Sequence, residues 1–382
     1  MKFSKLLSGT IIGAYVLGAT NAFAIETKAR NAILIDYDTG AYLYAKDAQK
    51  MVPPASMSKL MTVYVLFSKL KDGSLSLDDT FTVSENAWRK GGAASGGSTM
   101  FLKIGEKVRV EDLIKGILIQ SGNDACIVVA ENIAGSEEDF VDEMMKAAQK
   151  LGLKNSSFAN ATGLPHPDHR MSMEDLAILA RHIIKEFPEY YSIFSMKEFT
   201  YNNIKQGNRN PLLYSMSNAD GLKTGHTEEA GYSLTASAKK GDRRLIEVMA
   251  GMSSNKERSD EAEKLMSWGF REYNNYKVLT AGQKIATIPV WFGTQKSIDL
   301  IVPETVLRTL KKNKVSKLKM TAEYDKPVKA PIKKGDKLGF VKINIPEQTD
   351  IEVPLVAAQD VESIGFVGRF MENLRYLVGG SH

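Results

Sequence analysis

Three short polar motifs, in a fixed order along the chain, contain the residue types of a serine acyl-transfer site. The first pairs a serine with a lysine, the second a serine with an asparagine, and the third a lysine with a threonine and a glycine: Ser56–Lys59, Ser121–Asn123 and Lys223–Gly225. A serine hydroxyl is a weak nucleophile until a base takes its proton, and a neutral lysine amine can be that base. The set therefore supplies a nucleophile, a base, a hydroxyl relay, an amide and a cation for a carboxylate.

The first motif has little specificity when it is taken alone. The same spacing recurs at Ser68–Lys71 and Ser316–Lys319, and a serine before an apolar run is most often an ordinary helix N-cap. Ser56 differs because it follows two prolines and precedes the long apolar run Leu60–Phe67, which predicts the start of a helix. Since residues three apart share one face of a helix, we expect Lys59 to reach the Ser56 hydroxyl.

The ordered motifs resemble those of the penicillin-binding serine peptidases, most closely the low-molecular-mass D-alanyl-D-alanine carboxypeptidases. The similarity extends over nearly the whole chain and includes three longer stretches, Ser121–Cys126, Thr162–Pro165 and Gly221–Thr227. The resemblance implies one antiparallel sheet with helices on both faces. It also implies removal of the terminal D-alanine from peptidoglycan stem pentapeptides through a covalent acyl-enzyme, which β-lactam antibiotics form as well.

The resemblance implies a role for each candidate site residue. Ser56 attacks the carbonyl, and Lys59 takes its proton. Ser121 passes a proton to the leaving D-alanine, and Asn123 orients the acyl amide. Burial and a neighbouring cation, for which Lys223 is the candidate, are expected to lower the pKa of Lys59. The groups that bind the substrate carboxylate or hold the oxyanion are expected at Lys223, Thr224, Gly225, His226 and Arg258.

Related functions remain as alternatives at this stage. A β-lactamase of class A would need an acidic segment to activate the deacylating water, and we recognise none between Asn123 and Lys223. A DD-endopeptidase would use the same motifs, whereas a non-catalytic cell-wall-binding relative would not need all of them. No metal or cofactor is expected, because the histidines, the cysteine and the acids do not have metal-ligand spacing.

Composition and the first residues bear on location. The 382 residues are 43% hydrophobic and 25% charged, and the net charge of +5 is too small and scattered to indicate nucleic-acid binding. Residues 1–24 predict an export signal: Lys2 and Lys5 precede the apolar run Leu6–Leu17, and Ala22–Ala24 is a cleavage site. We therefore expect a protein at the periplasmic face of the bacterial inner membrane. An uncleaved membrane helix is the alternative reading of this segment.

The rest of the chain divides into three parts. Strand patterns at both ends of 25–283 enclose helical patterns, which predicts a mixed α+β catalytic domain. Short β-branched runs over 284–360 predict a small all-β domain. Residues 361–382 predict an amphipathic helix that lies on the cytoplasmic membrane surface, rather than one packed on its own protein. Its apolar face contains Ile364, Val367, Phe370, Met371, Leu374, Leu377 and Val378.

Overall fold

The computed structural model describes residues 25–345 and 349–379. The predicted export signal lies outside the described residues. In the predicted tail, Leu377 and Val378 are described as part of a helix, but their side chains are not. The α-helices are α1 Lys59–Lys71, α2 Glu85–Gly91, α3 Val110–Lys115, α4 Asn123–Ala134, α5 Glu137–Leu151, α6 Met173–Glu186, α7 Leu212–Ser215, α8 Asn255–Glu272 and α9 Phe366–Gly379.

Serines begin several of these helices, but Ser56 is not one of them. Helices α2, α5, α6 and α8 start after a serine whose side-chain oxygen accepts a hydrogen bond from the backbone three residues later, as N-caps do. Helix α1 begins at Lys59 instead of at Ser56, and Ser56 lies in the 3₁₀ turn Ala55–Ser58 that precedes it. The predicted helix start is therefore displaced by one turn.

The strands of the N-terminal unit are β1 Asn31–Asp36, β2 Tyr42–Lys46, β3 Thr80–Thr82, β4 Lys107–Arg109, β5 Ser156–Ser157, β6 Arg170–Met171, β7 Glu198–Tyr201, β8 Ile204–Gly207, β9 Ala219–Thr227, β10 Gly231–Lys240 and β11 Arg243–Met252. Five of them form an antiparallel sheet in the order β2-β1-β11-β10-β9. Strand β1 pairs with β11 along its whole length, so the two ends of the unit meet in the middle of the sheet.

Helices cover both faces of this sheet, as predicted. Helix α8 packs on one face, where Leu34 and Ala236 meet Leu265 in one apolar cluster. Helix α6 packs on the other face, and α1 lies in the apolar cluster on that side. The residues of α1 from Lys59 to Phe67 are all buried, which is the expected place for a helix that is apolar on every side. The predicted fold class is confirmed.

The strands of the C-terminal unit are β12 Tyr273–Leu279, β13 Lys284–Trp291, β14 Ser297–Ile301, β15 Val306–Lys311, β16 Lys319–Tyr324, β17 Val328–Lys329, β18 Lys337–Asn344 and β19 Ile351–Ala357. Six form a sheet in the order β16-β18-β19-β14-β13-β17, and β12 pairs with β15. Because β12 follows α8 directly and pairs with a strand of this unit, β structure begins before the predicted boundary at residue 284.

Polar contacts join the two units beside the first turn of the chain. Asp36 is fully buried and accepts hydrogen bonds from Arg243 Nε at 2.9 Å and from Asn275 Nδ2 at 3.1 Å. Thr39 Oγ1 lies 2.5 Å from Thr309 Oγ1. Since Asn275 and Thr309 belong to the paired strands β12 and β15, this cluster attaches that strand pair of the C-terminal unit to the catalytic unit.

Candidate active site

Two glycines allow distant segments to close on the turn that contains Ser56. Gly163 has a φ of +77°, and a Cβ there would lie 2.1 Å from the Ala55 carbonyl oxygen. A Cβ on Gly225 would lie 2.9 Å from the Pro54 carbonyl oxygen. Both approaches are closer than a side chain permits, so the loop around residue 163 and strand β9 reach the Ser56 turn only because these residues are glycines.

The Lys59 amine is held by three oxygen atoms. Nζ lies 2.8 Å from Ser56 Oγ, 2.8 Å from Asn123 Oδ1 and 2.5 Å from the Thr162 carbonyl oxygen. The amide and carbonyl oxygens can only accept hydrogen bonds, whereas a hydroxyl can donate as well. A neutral amine has two N–H groups and one lone pair. With both N–H groups on Asn123 and Thr162, its lone pair faces the Ser56 hydroxyl.

The environment of Lys59 favours that neutral form. The side chain is fully buried, and burial lowers its pKa from 10.5 to about 8. Cys126 and Asp124 act in the opposite direction, and the positive charge of Arg209 lowers the pKa further. Arg209 is thus a second cation that acts on Lys59 beside the predicted neighbour Lys223, and the sequence analysis did not single it out.

A distorted helix end positions Ser121 and Asn123 so that both border the cleft. The π-helical turn Gly116–Gln120 ends at Ser121, whose φ of 62° is in the left-handed region. The buried carboxylate of Asp124 then accepts hydrogen bonds from Thr99 Oγ1 and from backbone N–H groups of residues 100 and 102. A Cβ on Gly122 would lie 2.8 Å from Asp124 Oδ1, so the middle residue of this motif must be small.

Strand β9 carries the third motif along the edge of the sheet. Lys223 pairs with Thr235 on β10, and its Nζ donates to Ser121 Oγ at 2.9 Å and to the Thr224 carbonyl oxygen at 3.1 Å. Among the described residues these contacts use two of its three donors. Burial lowers the pKa of Lys223 well below 10.5, and the charges of Lys59 and Arg209 lower it further.

The remaining candidates lie at the outer part of the site. Arg258, in α8, is buried and donates to Asn255 Oδ1 at 2.5 Å and to the Arg209 carbonyl oxygen at 3.3 Å. Burial lowers the pKa of Arg258 to about 10. The exposed His226 ring stacks on Tyr232, with 4.0 Å between ring centroids.

The predicted site residues other than the two lysines all border one open cleft of about 1090 Å³. The structure thus brings the three motifs together, with Lys59 and Lys223 buried behind the cleft wall. Arg209 also lines the cleft and donates to Ser98 Oγ at 2.6 Å. Ser98 directly follows the glycine-rich segment Gly91–Gly97. No spacing in the sequence joins Arg209 or Ser98 to the motifs. The stretch Thr162–Pro165 belongs to the resemblance, but nothing in it predicted that the Thr162 carbonyl contacts Lys59.

One segment between the second and third motifs needs a correction. Glu198 and Asn202 do have the Glu-x-x-x-Asn spacing that the sequence analysis did not recognise in this interval. The structure places them on the β7–β8 hairpin, where Glu198 pairs with Lys205 at 2.8 Å. Asn202 donates to the Phe101 carbonyl oxygen. Neither residue lines the cleft, so this segment does not supply a base for water beside Ser56.

Comparison with known proteins finds two family models that match successive parts of the chain. A family model described as D-alanyl-D-alanine carboxypeptidase matches residues 18–254. A second model, described as the C-terminal domain of penicillin-binding protein 5, matches residues 273–363. The second match begins at the first residue of strand β12.

Individual relatives are similar over most of their length. The chain is 40% identical to D-alanyl-D-alanine carboxypeptidase DacC of Escherichia coli over 96% of this chain and 95% of that protein. Among solved structures, penicillin-binding protein 5 from Haemophilus influenzae has a TM-score of 0.78 and 39% identity, and covers 89% of this chain and 99% of its own. The carboxypeptidase DacD from Francisella tularensis has a TM-score of 0.77 and 31% identity, covering 89% and 95%.

Proposed function

The chain belongs to the D-alanyl-D-alanine carboxypeptidase family, and from this premise we propose that Ser56 is its nucleophile. The protein is accordingly a serine-type carboxypeptidase. Its substrate is the peptidoglycan stem pentapeptide, and penicillin forms an ester with the same serine. The observation that carries the assignment is the Lys59 amine, whose two acceptor-only neighbours direct its lone pair to the Ser56 hydroxyl.

Acylation starts with transfer of the Ser56 hydroxyl proton to Lys59 Nζ. The serine oxygen then bonds to the carbonyl carbon between the two D-alanines, and the carbonyl oxygen takes the negative charge. We assign the stabilisation of this oxyanion to the backbone N–H groups of Ser56 and His226, because fixed donors cost no reorganisation in the transition state. Asn123, which also contacts Lys59, orients the acyl amide.

Breakdown of this intermediate needs a proton on the leaving nitrogen. Ser121 accepts a hydrogen bond from Lys223, so its own O–H can point into the cleft toward that nitrogen. As Ser121 gives its hydroxyl proton to that nitrogen, it receives in turn the proton that Lys59 took from Ser56, which leaves Lys59 neutral. The C–N bond then breaks, D-alanine leaves as the amine, and the acyl group stays on Ser56 as an ester. Water then attacks the ester carbon, the shortened peptide departs, and Ser56 regains its hydroxyl proton. Lys59, neutral again, is the base for this second step.

The cationic groups of the cleft give the site its preference for a C-terminal carboxylate. Lys223 has a donor left for a ligand, and Thr224 and Gly225 border the cleft beside it. Arg258 borders the same part of the cleft and holds the segment that carries Arg209. We infer that Lys223 and Thr224 bind the carboxylate and that Arg258 supports this binding through its charge.

We also propose that the protein works at the periplasmic face of the inner membrane, after removal of residues 1–24. The apolar side chains of α9 support attachment by the tail: Phe370 is 59% exposed and Val367 is 75% exposed, so this face is not packed on the C-terminal sheet. Among the described residues no helix is long and apolar enough to cross a bilayer. A helix with one apolar face binds instead in the membrane interface.

Mass spectrometry of the penicillin-treated protein tests the assignment of Ser56. We expect one adduct, located on the peptide that contains Ser56, and release of D-alanine from a soluble pentapeptide by the untreated enzyme. Ser56→Ala should lose both, while Ser58→Ala, in the same turn, should keep them. An adduct on any other serine would overturn the assignment.

A further inference from the structure

The C-terminal sheet presents an exposed tryptophan where the tail helix leaves it. Trp291 is the last residue of β13 and is 41% exposed. Its neighbour Phe292 has a φ of 56°, a region that large side chains rarely adopt. The Phe292 carbonyl accepts a hydrogen bond from the backbone of Ile364 at 2.8 Å. This bond places Trp291 within roughly 15 Å of the start of α9.

Several contacts hold this loop and the helix base as one piece. Thr294 N donates to the Glu362 carbonyl oxygen at 2.8 Å, and Gly293 pairs with Ser363. A Cβ on Gly293 would lie 2.8 Å from the Gln295 carbonyl oxygen, so the turn is tight. The tail helix is therefore not connected to the sheet by a loose linker at this point.

Side-chain contacts extend the same surface. Lys296 forms an ion pair with Glu372 of α9 at 2.8 Å, and the Lys329 amine lies 5.8 Å from the centre of the Phe292 ring. Lys329 and Arg369 are exposed here, and the exposed Glu362 adds a negative charge to the same surface. Tryptophan rings prefer the level of the lipid headgroups, and lysine side chains can extend from apolar surroundings to a charged surface.

We propose that the Trp291–Lys296 loop is a second membrane-contacting element, which enters the interface of an anionic bilayer beside α9. The C-terminal sheet then docks on the lipid surface directly and does not merely hold the helix. This inference rests on the proposed attachment by the tail, but it makes a separate demand on Trp291. The bilayer would be contacted at two points, and their rigid connection would fix how the catalytic unit is oriented above it.

Binding of the mature full-length protein to vesicles tests the proposal. With vesicles that contain one third phosphatidylglycerol, Trp291→Ala should lower the bound-to-free ratio about tenfold, since one large side chain leaves the interface. Trp88→Ala is the matched control, because Trp88 is 40% exposed and lies in α2 of the catalytic unit. All variants should hydrolyse a soluble pentapeptide at the normal rate, which verifies their fold.

Fluorescence gives a second measurement that does not depend on affinity. Brominated lipids should quench the emission of the normal protein and of Trp88→Phe, but not that of Trp291→Phe. Normal vesicle binding by Trp291→Ala, or unchanged quenching in Trp291→Phe, would overturn the proposal and leave the tail anchor standing. If Phe370→Asp with Leu374→Asp binds normally while Trp291→Ala does not, the tail anchor fails and the loop remains. Equal binding to vesicles without phosphatidylglycerol would overturn the requirement for anionic lipid.

Discussion

The catalytic role proposed for Lys59 depends on which of its neighbours can give a proton. Asn123 Oδ1 and the Thr162 carbonyl can only accept, so a charged Lys59 would donate to all three contacts and have no lone pair for Ser56. Burial shifts the balance toward the neutral amine by lowering the pKa to about 8. The same two features, fixed acceptors and burial, predict a pH dependence and a mutational effect.

Acylation by penicillin should rise with pH up to about 8. The base is the deprotonated amine, and its pKa is lowered to about 8, so the rate should increase about tenfold per pH unit below that value and then level off. Lys59→Arg should lose roughly 10²–10⁴-fold in rate at every pH, while Lys69→Arg, on the same helix, should behave normally. Rates of labelling by a fluorescent penicillin measure both. A flat profile from pH 6 to 9 would contradict the role of Lys59.

Lys223 should distinguish a substrate acid from the corresponding amide. Loss of a charge-paired hydrogen bond in a buried site is costly, so amidation of the C-terminal D-alanine should lower kcat/KM of the normal enzyme roughly 10²-fold. Lys223→Ala should show a comparably low value with the acid and little further loss with the amide. If amidation harms the variant as much as the normal enzyme, another group reads the carboxylate.

Glu247 is a buried acid that the mechanism does not use. It lies at the centre of β11, fully buried, and neither carboxylate oxygen has a hydrogen-bond partner among the described residues. Burial, with the charge of Glu261, raises its pKa well above 4.5. The folded protein therefore keeps a proton that the unfolded chain releases above pH 4.5, so stability contributed by this group is lost as pH rises from there.

Glu247→Gln should remove this loss of folding stability at high pH. We expect a melting temperature higher by at least about 3 °C at pH 8. The gain should be small at pH 4.5, where the folded protein is protonated and the unfolded chain is still about half protonated. Glu263→Gln, on the exposed face of α8, is the control and should change little. Thermal unfolding across this pH range measures the difference. Equal effects of the Glu247 substitution at both pH values would mean that Glu247 is not protonated in the fold.

At the scale of elements, glycines decide how closely segments approach the site. Gly163 and Gly135 both have positive φ values, of +77° and +89°. A Cβ at Gly163 would collide with the Ala55 carbonyl, whereas nothing lies within 4 Å of one at Gly135. Substitutions at Gly163 and Gly135 can therefore be compared to distinguish the effect of backbone strain from the effect of a close approach.

Gly163→Ala should displace the loop that presents the Thr162 carbonyl to Lys59. A shift of about 1 Å at a catalytic contact can cost about 10²-fold in rate, so acylation should fall by that order. Gly135→Ala should only destabilise the fold, by about 1–2 kcal/mol, and should acylate normally. Burst kinetics with penicillin, beside thermal melts, measure both properties. Similar acylation rates in the two variants would show that the loop tolerates the displacement.

Local patterns predicted the elements but not the way in which they converge. The alternation of residues predicted strands β1, β2, β10 and β11, and the spacing within each motif placed its polar groups together. Arg209, in contrast, precedes a short helix that has no motif, and it reaches Ser98 across 111 residues of sequence. The Thr162 carbonyl is a backbone atom and has no signature in residue type. Contacts of this kind depend on tertiary packing, which single-sequence periodicity does not contain.

The whole molecule places its catalytic cleft and its exposed apolar helix in different units. Asp36 joins the units through its hydrogen bond from Asn275 of β12, and the C-terminal unit continues from there to α9. Each residue assigned to the chemistry precedes β12. The sequence pattern predicted a separate β unit after the catalytic domain, although β structure begins at Tyr273 and not at residue 284.

Removal of the tail should therefore separate attachment from catalysis. The cut belongs after Gly365, because Val361 pairs with Ile332 and Ser363 pairs with Gly293 in the sheet, and an earlier cut would damage the core. Without α9, Trp291 alone buries too little apolar area for stable binding, so the enzyme should move from the membrane pellet to the periplasmic fraction. Hydrolysis of a soluble pentapeptide should be nearly unchanged.

Fractionation of cells that express each form, with Phe370→Asp plus Leu374→Asp as the full-length comparison, measures the effect. If the truncated enzyme still sediments with membranes, the main anchor lies elsewhere in the chain; if it unfolds, α9 packs on its own sheet.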